Sequence, residues 1–244
     1  NGESMENMCE KIRKRLRDVT DEKYLECNRS LVPGDNSTML GVRVPRLREF
    51  AKSMARENGL EYVNAVKEQE KQGKVYHEEL LLHGMIIGYM KCSLDERKKL
   101  LDDFVPVIDS WAVCDSSCMT YKFMKKDMDL WFEYLMKYLD STQEYELRFA
   151  IVSLLDYFVT ENYIERVLRI LGDVKHEAYY VKMAVAWAVS VCYVKFPELT
   201  WDLLAGNQLD DITHQKSIQK IRESFRVSKE EKERLNTLRR AKKG

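Results

Sequence analysis

The sequence predicts an all-α fold, an α-solenoid of antiparallel helical repeats, on three observations. Apolar residues recur at three- and four-residue spacing, and no run alternates as a half-buried strand would. Proline and glycine are scarce, 4 and 10 in 244 residues, which favours helix throughout. The longer helices start near 110, 143, 177 and 210, roughly one every 33 to 34 residues, a period of stacked helical hairpins. The chain is 45% hydrophobic and 33% charged, the balance of a soluble protein with a sizeable core.

Taken in order, residues 5–17 and 21–30 read as helices, the second capped by Thr20 with acids in its first turn. Residues 31–38 form a loop around Pro33-Gly34-Asp35-Asn36. Pro45 suits the first position of a helix that runs from Arg46 to Arg56, with Leu47, Phe50, Ala51 and Met54 on one side. Gly59 and Gly73 bracket the next helix, and residues 76–92 form a longer one with Leu80, His83, Ile87 and Met90 at helical spacing. Ser93 with Glu96 three residues on is a capping box for a helix over 94–105. Further helices are predicted over 110–124, 127–140, 143–159, 161–172, 177–195, 197–206, 210–226 and 229–242.

The TPR consensus is absent, and the period makes the repeats HEAT-like. A single domain over 5–244 is expected, with residues 1–4, ahead of Met5, set aside as an expression remnant. In such a stack alternate helices form two layers, so the four long helices share one, and one layer lines a concave face. Lys182 on one long helix, and His214, Lys216, Lys220, Arg222 and Arg226 on the next, would suit an extended anionic ligand there. The alternative is a solvated basic face. The last helix, charged nearly all round, is expected to be a polar cap of the stack.

A formal net charge of zero argues against a strong non-specific polyanion binder. The six cysteines include no CxxC pair, and Cys114 and Cys118 lack a second pair for a zinc site. They read as reduced, mostly buried thiols of a cytosolic, cytoplasmic protein. No apolar run approaches a membrane-spanning length and no signal peptide is visible. The glycines form no phosphate-binding pattern. Neither a metal nor a nucleotide cofactor is expected, and the chain is expected to be a monomer.

The stretch Asp109-Ser110-Trp111-Ala112-Val113-Cys114-Asp115 opens a helix, with Asp109 or Ser110 as its cap. Trp111 and Asp115, four apart, share a face, which sets an aromatic wall beside a carboxylate. Arg148 follows Asp115 by 33 residues and Trp187 follows Arg148 by 39, each about one repeat. Packed helix axes lie about 8–10 Å apart, so Trp111, Asp115, Arg148 and Trp187 are expected on successive members of one layer. Each also has a plain structural reading: Trp111 and Trp187 as core, Asp115 as a solvated acid, and Arg148 as a partner of Glu144 one turn back.

The chain resembles the DNA alkylation repair glycosylases of the AlkD type, HEAT-like solenoids with a concave DNA-binding face. The resemblance is carried by Leu40-Gly41-Val42-Arg43-Val44-Pro45-Arg46-Leu47-Arg48, by Glu78 through Gly88 with its Ile86-Ile87-Gly88, by Phe104 through Asp115, by Glu146-Leu147-Arg148 and by Ala186-Trp187-Ala188. It implies base excision of N3- and N7-alkylated purines from double-stranded DNA. It implies Asp115 as catalytic carboxylate, Trp111 and Trp187 framing the lesion's sugar and backbone, and Arg148 on the phosphates. With Arg148, the residues Lys182, Lys216 and Lys220 are expected to bind DNA. Inactive relatives also exist, so the alternative is a non-catalytic HEAT-like module that binds branched DNA or protein partners.

Overall fold

A computed structural model describes residues 2–32 and 38–241. Among the described residues fourteen α-helices follow one another and no strand occurs. They fall into two compact units, one ending at Phe123 and the other beginning at Met124.

The first unit holds α1 (Gly2–Arg17), α2 (Glu22–Leu31), α3 (Val44–Glu57), α4 (Gly59–Lys71), α5 (His77–Tyr89), α6 (Leu94–Phe104) and α7 (Trp111–Cys118). α3, α5 and α7 start about one repeat apart and pack side by side in that order, while α4 packs on α1, α3 and α5. α5 is the heart of this unit: every residue from His77 to Ile87 is buried, so it is covered on all sides rather than on one stripe. Two charges inside that run have partners. Glu79 forms an ion pair with Arg13 at 2.9 Å, and Glu78 accepts hydrogen bonds from backbone amides. Arg97 of α6 donates to the Ile87 and Met90 carbonyls at 2.6 and 3.0 Å, closing the C-terminus of α5.

The second unit holds α8 (Met128–Leu139), α9 (Glu144–Tyr157), α10 (Ile164–Asp173), α11 (Tyr179–Lys195), α12 (Pro197–Ala205), α13 (Asp211–Glu223) and α14 (Lys229–Leu235). α9, α11 and α13 again start about one repeat apart and pack in succession, with α8 on α9, α10 and α12 on α11, and α14 on α13. α10 buries Ile164, Val167, Leu168 and Leu171 and turns its charges outward, the stripe of an outer-layer helix.

Several boundaries differ from the sequence expectation. The helix expected over 110–124 ends at Cys118. Thr120 turns its hydroxyl back to the Ser117 carbonyl, and Tyr121 turns inward to donate to the Gly84 carbonyl at 2.9 Å. The N-cap of α2 is Asp21, not Thr20: Asp21 accepts from the Tyr24 amide while the Thr20 hydroxyl donates back to Arg17. Pro45 stands one place inside α3, after Val44. The capping box of Ser93 and Glu96 forms as expected. The last α-helix stops at Leu235; a 3₁₀ turn over Asn236–Leu238 follows, and the chain from there to residue 241 forms a strap. Arg240 donates to Asn207, the Leu209 carbonyl and Asp211, and its own carbonyl accepts from Gln215. The turn expected at 33–36 and the end of the helix expected to reach 242 lie outside the described residues.

Candidate functional site

Ser110, in extended conformation, caps α7 by accepting from the Val113 amide at 3.2 Å. Helical spacing then divides α7 into two faces. Val113, Cys114, Ser117 and Cys118 are buried against the rest of the unit, while Trp111, Ala112, Asp115 and Ser116 are only partly covered. The half-buried Trp111 ring is tethered, since its indole N–H donates to the Leu31 carbonyl at the end of α2, 3.2 Å away. Asp115 stands one turn further along the same open face. The sequence-expected pair therefore shares a face of α7 that solvent reaches.

In the second unit Arg148 projects from the early part of α9 and is buried, 6% exposed. It donates to the Tyr180 carbonyl at 2.7 Å, and its guanidinium lies 5.9 Å from the Tyr180 ring centre. Tyr145 and Tyr179 flank the same ring at 6.2 and 5.1 Å. Burial, reinforced by Glu144, pushes the Tyr145 hydroxyl well above its ordinary range, so it stays a proton donor. Lys182, one turn inside α11, is also buried. It reaches Glu177 at 3.2 Å and Asp210 at 3.8 Å. Although burial opposes it, the hydrogen bonds of Thr213 and the charge on Lys182 hold the Asp210 carboxyl below its usual range. Arg148 and Lys182 thus both gather at the N-terminal end of α11.

Trp187 lies two turns further along α11, half-buried, between the buried Ala186 and Ala188. On α13 Lys216 and Lys220 stand one turn apart, both half-buried, and Lys216 donates to Gln219 at 3.1 Å. These two cations are better placed to meet a ligand than Arg148 and Lys182 are.

Sequence reasoning missed the role of Glu78 and Glu79. A signal was present: two consecutive acids open the apolar run Leu80-Leu81-Leu82, and acids carried into a core need partners. Glu79 also accepts locally from the Tyr76 amide at 2.9 Å, but the remaining partners of the two acids come from chain segments 36 to 66 residues away, which no local pattern encodes.

The buried thiols of Cys9 and Cys192 are poor nucleophiles. Burial pushes Cys9 to about 11 and Cys192 to about 12. Among the described residues no group of three or more His, Cys, Asp or Glu could hold a metal ion. Nor is any helix among them long and apolar enough to cross a membrane.

Comparison with curated proteins gave no match, nor did comparison with solved structures. A family model described as DNA alkylation repair enzyme matches residues 12–221, the span that runs from α1 to α13. The chain belongs to the DNA alkylation repair enzyme family.

Proposed function

We propose that this protein is a monofunctional DNA glycosylase that excises cationic N3- and N7-alkylpurines from double-stranded DNA as the first step of base excision repair. The observation that carries the reading is the pairing of Trp111 and Asp115 on the open face of α7, in a chain of this family. An alkylated purine already bears positive charge, so it leaves without help from an acid. Its glycosidic bond breaks with the electron pair going to the purine, which becomes neutral, and the sugar is left as an oxocarbenium-like cation. A carboxylate beside that cation stabilises it, orients the attacking water, and takes its proton as the new C1′–O bond forms. Tryptophan faces attract the same charge. In this reading Asp115 is the catalytic carboxylate, Trp111 and Trp187 frame the sugar, and Arg148, Lys182, Lys216 and Lys220 serve the phosphates.

The reaction needs no metal and no nucleotide cofactor. Selectivity arises from the lability of the charged glycosidic bond rather than from a walled pocket around an extruded base. We place the protein in the cytoplasm, as a monomer, on the nucleoid when bound to DNA.

The test is incubation with methylated duplex DNA and detection of released purine. Release of 3-methyladenine or 7-methylguanine by the wild type and not by Asp115→Asn is the expected result. The internal pairing of Arg148 and Lys182 favours a second reading, a non-catalytic module in which these cations are purely structural. Tight binding of duplex or branched DNA with no base release would establish that one instead.

A further inference from the structure

Glu78 is 1% exposed at the second position of α5. Its carboxylate accepts from three consecutive amides, those of Leu40 at 2.9 Å, Gly41 at 2.8 Å and Val42 at 3.1 Å. Charge-assisted bonds of this kind are among the stronger polar contacts a buried acid makes. They are possible because Gly41 adopts φ +91° and carries no side chain; a Cβ there would meet Leu25 Cβ at 2.7 Å. The gripped segment in turn holds the start of α2. The Gly41 carbonyl accepts from the Asp21 amide at 2.9 Å, and Arg43 donates to the Asp21 carboxylate at 3.1 Å.

α2 itself contains no buried residue, so few packing contacts fix its course. Val32, just beyond it, is buried, and the Leu31 carbonyl accepts the indole N–H of Trp111. The run Leu40-Gly41-Val42-Arg43 and the acid at the head of α5 are thus joined to the candidate site by one chain of hydrogen bonds. That chain passes from Glu78 through the 40–42 amides and α2 to the Trp111 ring.

We propose that Glu78 is a positioning residue for Trp111: by gripping the 40–42 segment it sets α2, and α2 holds the indole at the angle the lesion site requires. Its effect on excision rests on the function proposed above, whereas its effect on the Trp111 ring does not. The test uses the full chain labelled with 5-fluorotryptophan, whose four indoles (Trp111, Trp131, Trp187 and Trp201) are assigned by Trp→Phe variants. In Glu78→Gln an amide N–H₂ replaces one accepting oxygen and faces backbone donors. The Trp111 fluorine resonance is expected to shift or broaden, with the other three unmoved.

Glu79→Gln serves as the structural control. It breaks the neighbouring buried pair with Arg13, so it is expected to lower stability and leave the Trp111 signal in place. On methylated duplex, Glu78→Gln is expected to lose about tenfold in single-turnover excision at nearly unchanged DNA affinity. In a Trp111→Phe background it is expected to lose little more, because effects acting through one residue do not add. Should Glu78→Gln fail to fold, Gly41→Ala loosens the same grip from the other side and is expected to give the same Trp111 signature. An unmoved Trp111 resonance in the variant that folds overturns the proposal, as do losses that multiply in the double variant. Absence of excision by the wild type would overturn the glycosylase reading alone, and the fluorine spectrum would still decide whether Glu78 sets the indole.

Discussion

Gly84 of α5 and Ser117 of α7 meet so closely that a methyl group on Gly84 would lie 1.9 Å from the Ser117 Oγ and 2.5 Å from the Phe104 ring. One helical turn further on, a methyl on Gly88 would meet the Thr120 Oγ1 at 1.9 Å. The two glycines let α7 sit almost on the backbone of α5, and α7 carries Trp111 and Asp115. Gly84→Ala is predicted to force the helices apart, at a cost of about 1–3 kcal/mol or more, as overpacking usually does. Urea denaturation measures the cost. Ser117→Gly in the same chain should recover part of it, because it removes the nearest atoms. Wild-type stability of Gly84→Ala would show that the contact is not the constraint it looks.

Asp115→Asn is predicted to keep duplex affinity and to lose roughly 10²–10³ in single-turnover excision, the usual effect of removing one well-placed electrostatic group. Trp187→Ala is predicted to be milder, since a π-face supplies less than a full charge. A near wild-type rate for Asp115→Asn would remove this residue from the catalytic role.

Among the four cations expected on DNA, burial separates two behaviours. Lys216→Ala and Lys220→Ala are predicted to weaken duplex binding evenly across sequences and to flatten the salt dependence by about one unit of slope each. Arg148→Ala is predicted to destabilise the second unit as well, by about 1.5–3 kcal/mol, because it strips a charged hydrogen bond from the Tyr180 carbonyl in a part-buried setting. Binding titrations over a salt series, run beside thermal melts of the same variants, separate the two. A full Lys216/Lys220 double variant with an unchanged slope would place DNA elsewhere.

What the sequence made legible is what local physics controls. The apolar period located most helices to within a few residues, those that end early at Cys118 and Leu235 excepted, and Ser93 with Glu96 fixed the start of α6 because a capping box is complete within four residues. Trp111 and Asp115 fell on one face because spacing alone dictates it. What stayed hidden depends on partners far along the chain. Arg148 donates to a carbonyl 32 residues on, a partner that local spacing does not name. The helix expected to run to 124 stops because Tyr121 finds the Gly84 carbonyl 37 residues back. Asp21 takes the cap of α2 from Thr20, and its backbone amide is at the same time bound by Gly41.

Acid should loosen the C-terminal strap through His214 of α13, which is 1% exposed. Its Nε2 lies 2.7 Å from the Leu238 carbonyl, so that nitrogen carries the proton and donates. Its Nδ1 is buried with no partner among the described residues. Burial lowers the imidazole below its ordinary 6.5; the Arg240 charge adds to this, while the Leu238 hydrogen bond and Asp211 oppose it. Below 6.5 the unfolded chain takes up a proton that the fold resists, so stability rises with pH across this window and is lost as pH falls through 6.5 toward the folded value. His77, which burial also lowers, acts in the same direction. His214→Gln keeps an N–H near the Leu238 carbonyl but cannot titrate. Urea denaturation at about pH 7.5 and about pH 5.5, on either side of the ordinary histidine value, is therefore predicted to show a smaller acid-side loss for His214→Gln than for the wild type. Proteolysis at acid pH is predicted to release the strap around Arg240 from the wild type first. Equal acid-side losses in the two proteins would mean that His214 is charged in the fold and that the strap does not depend on its neutral form.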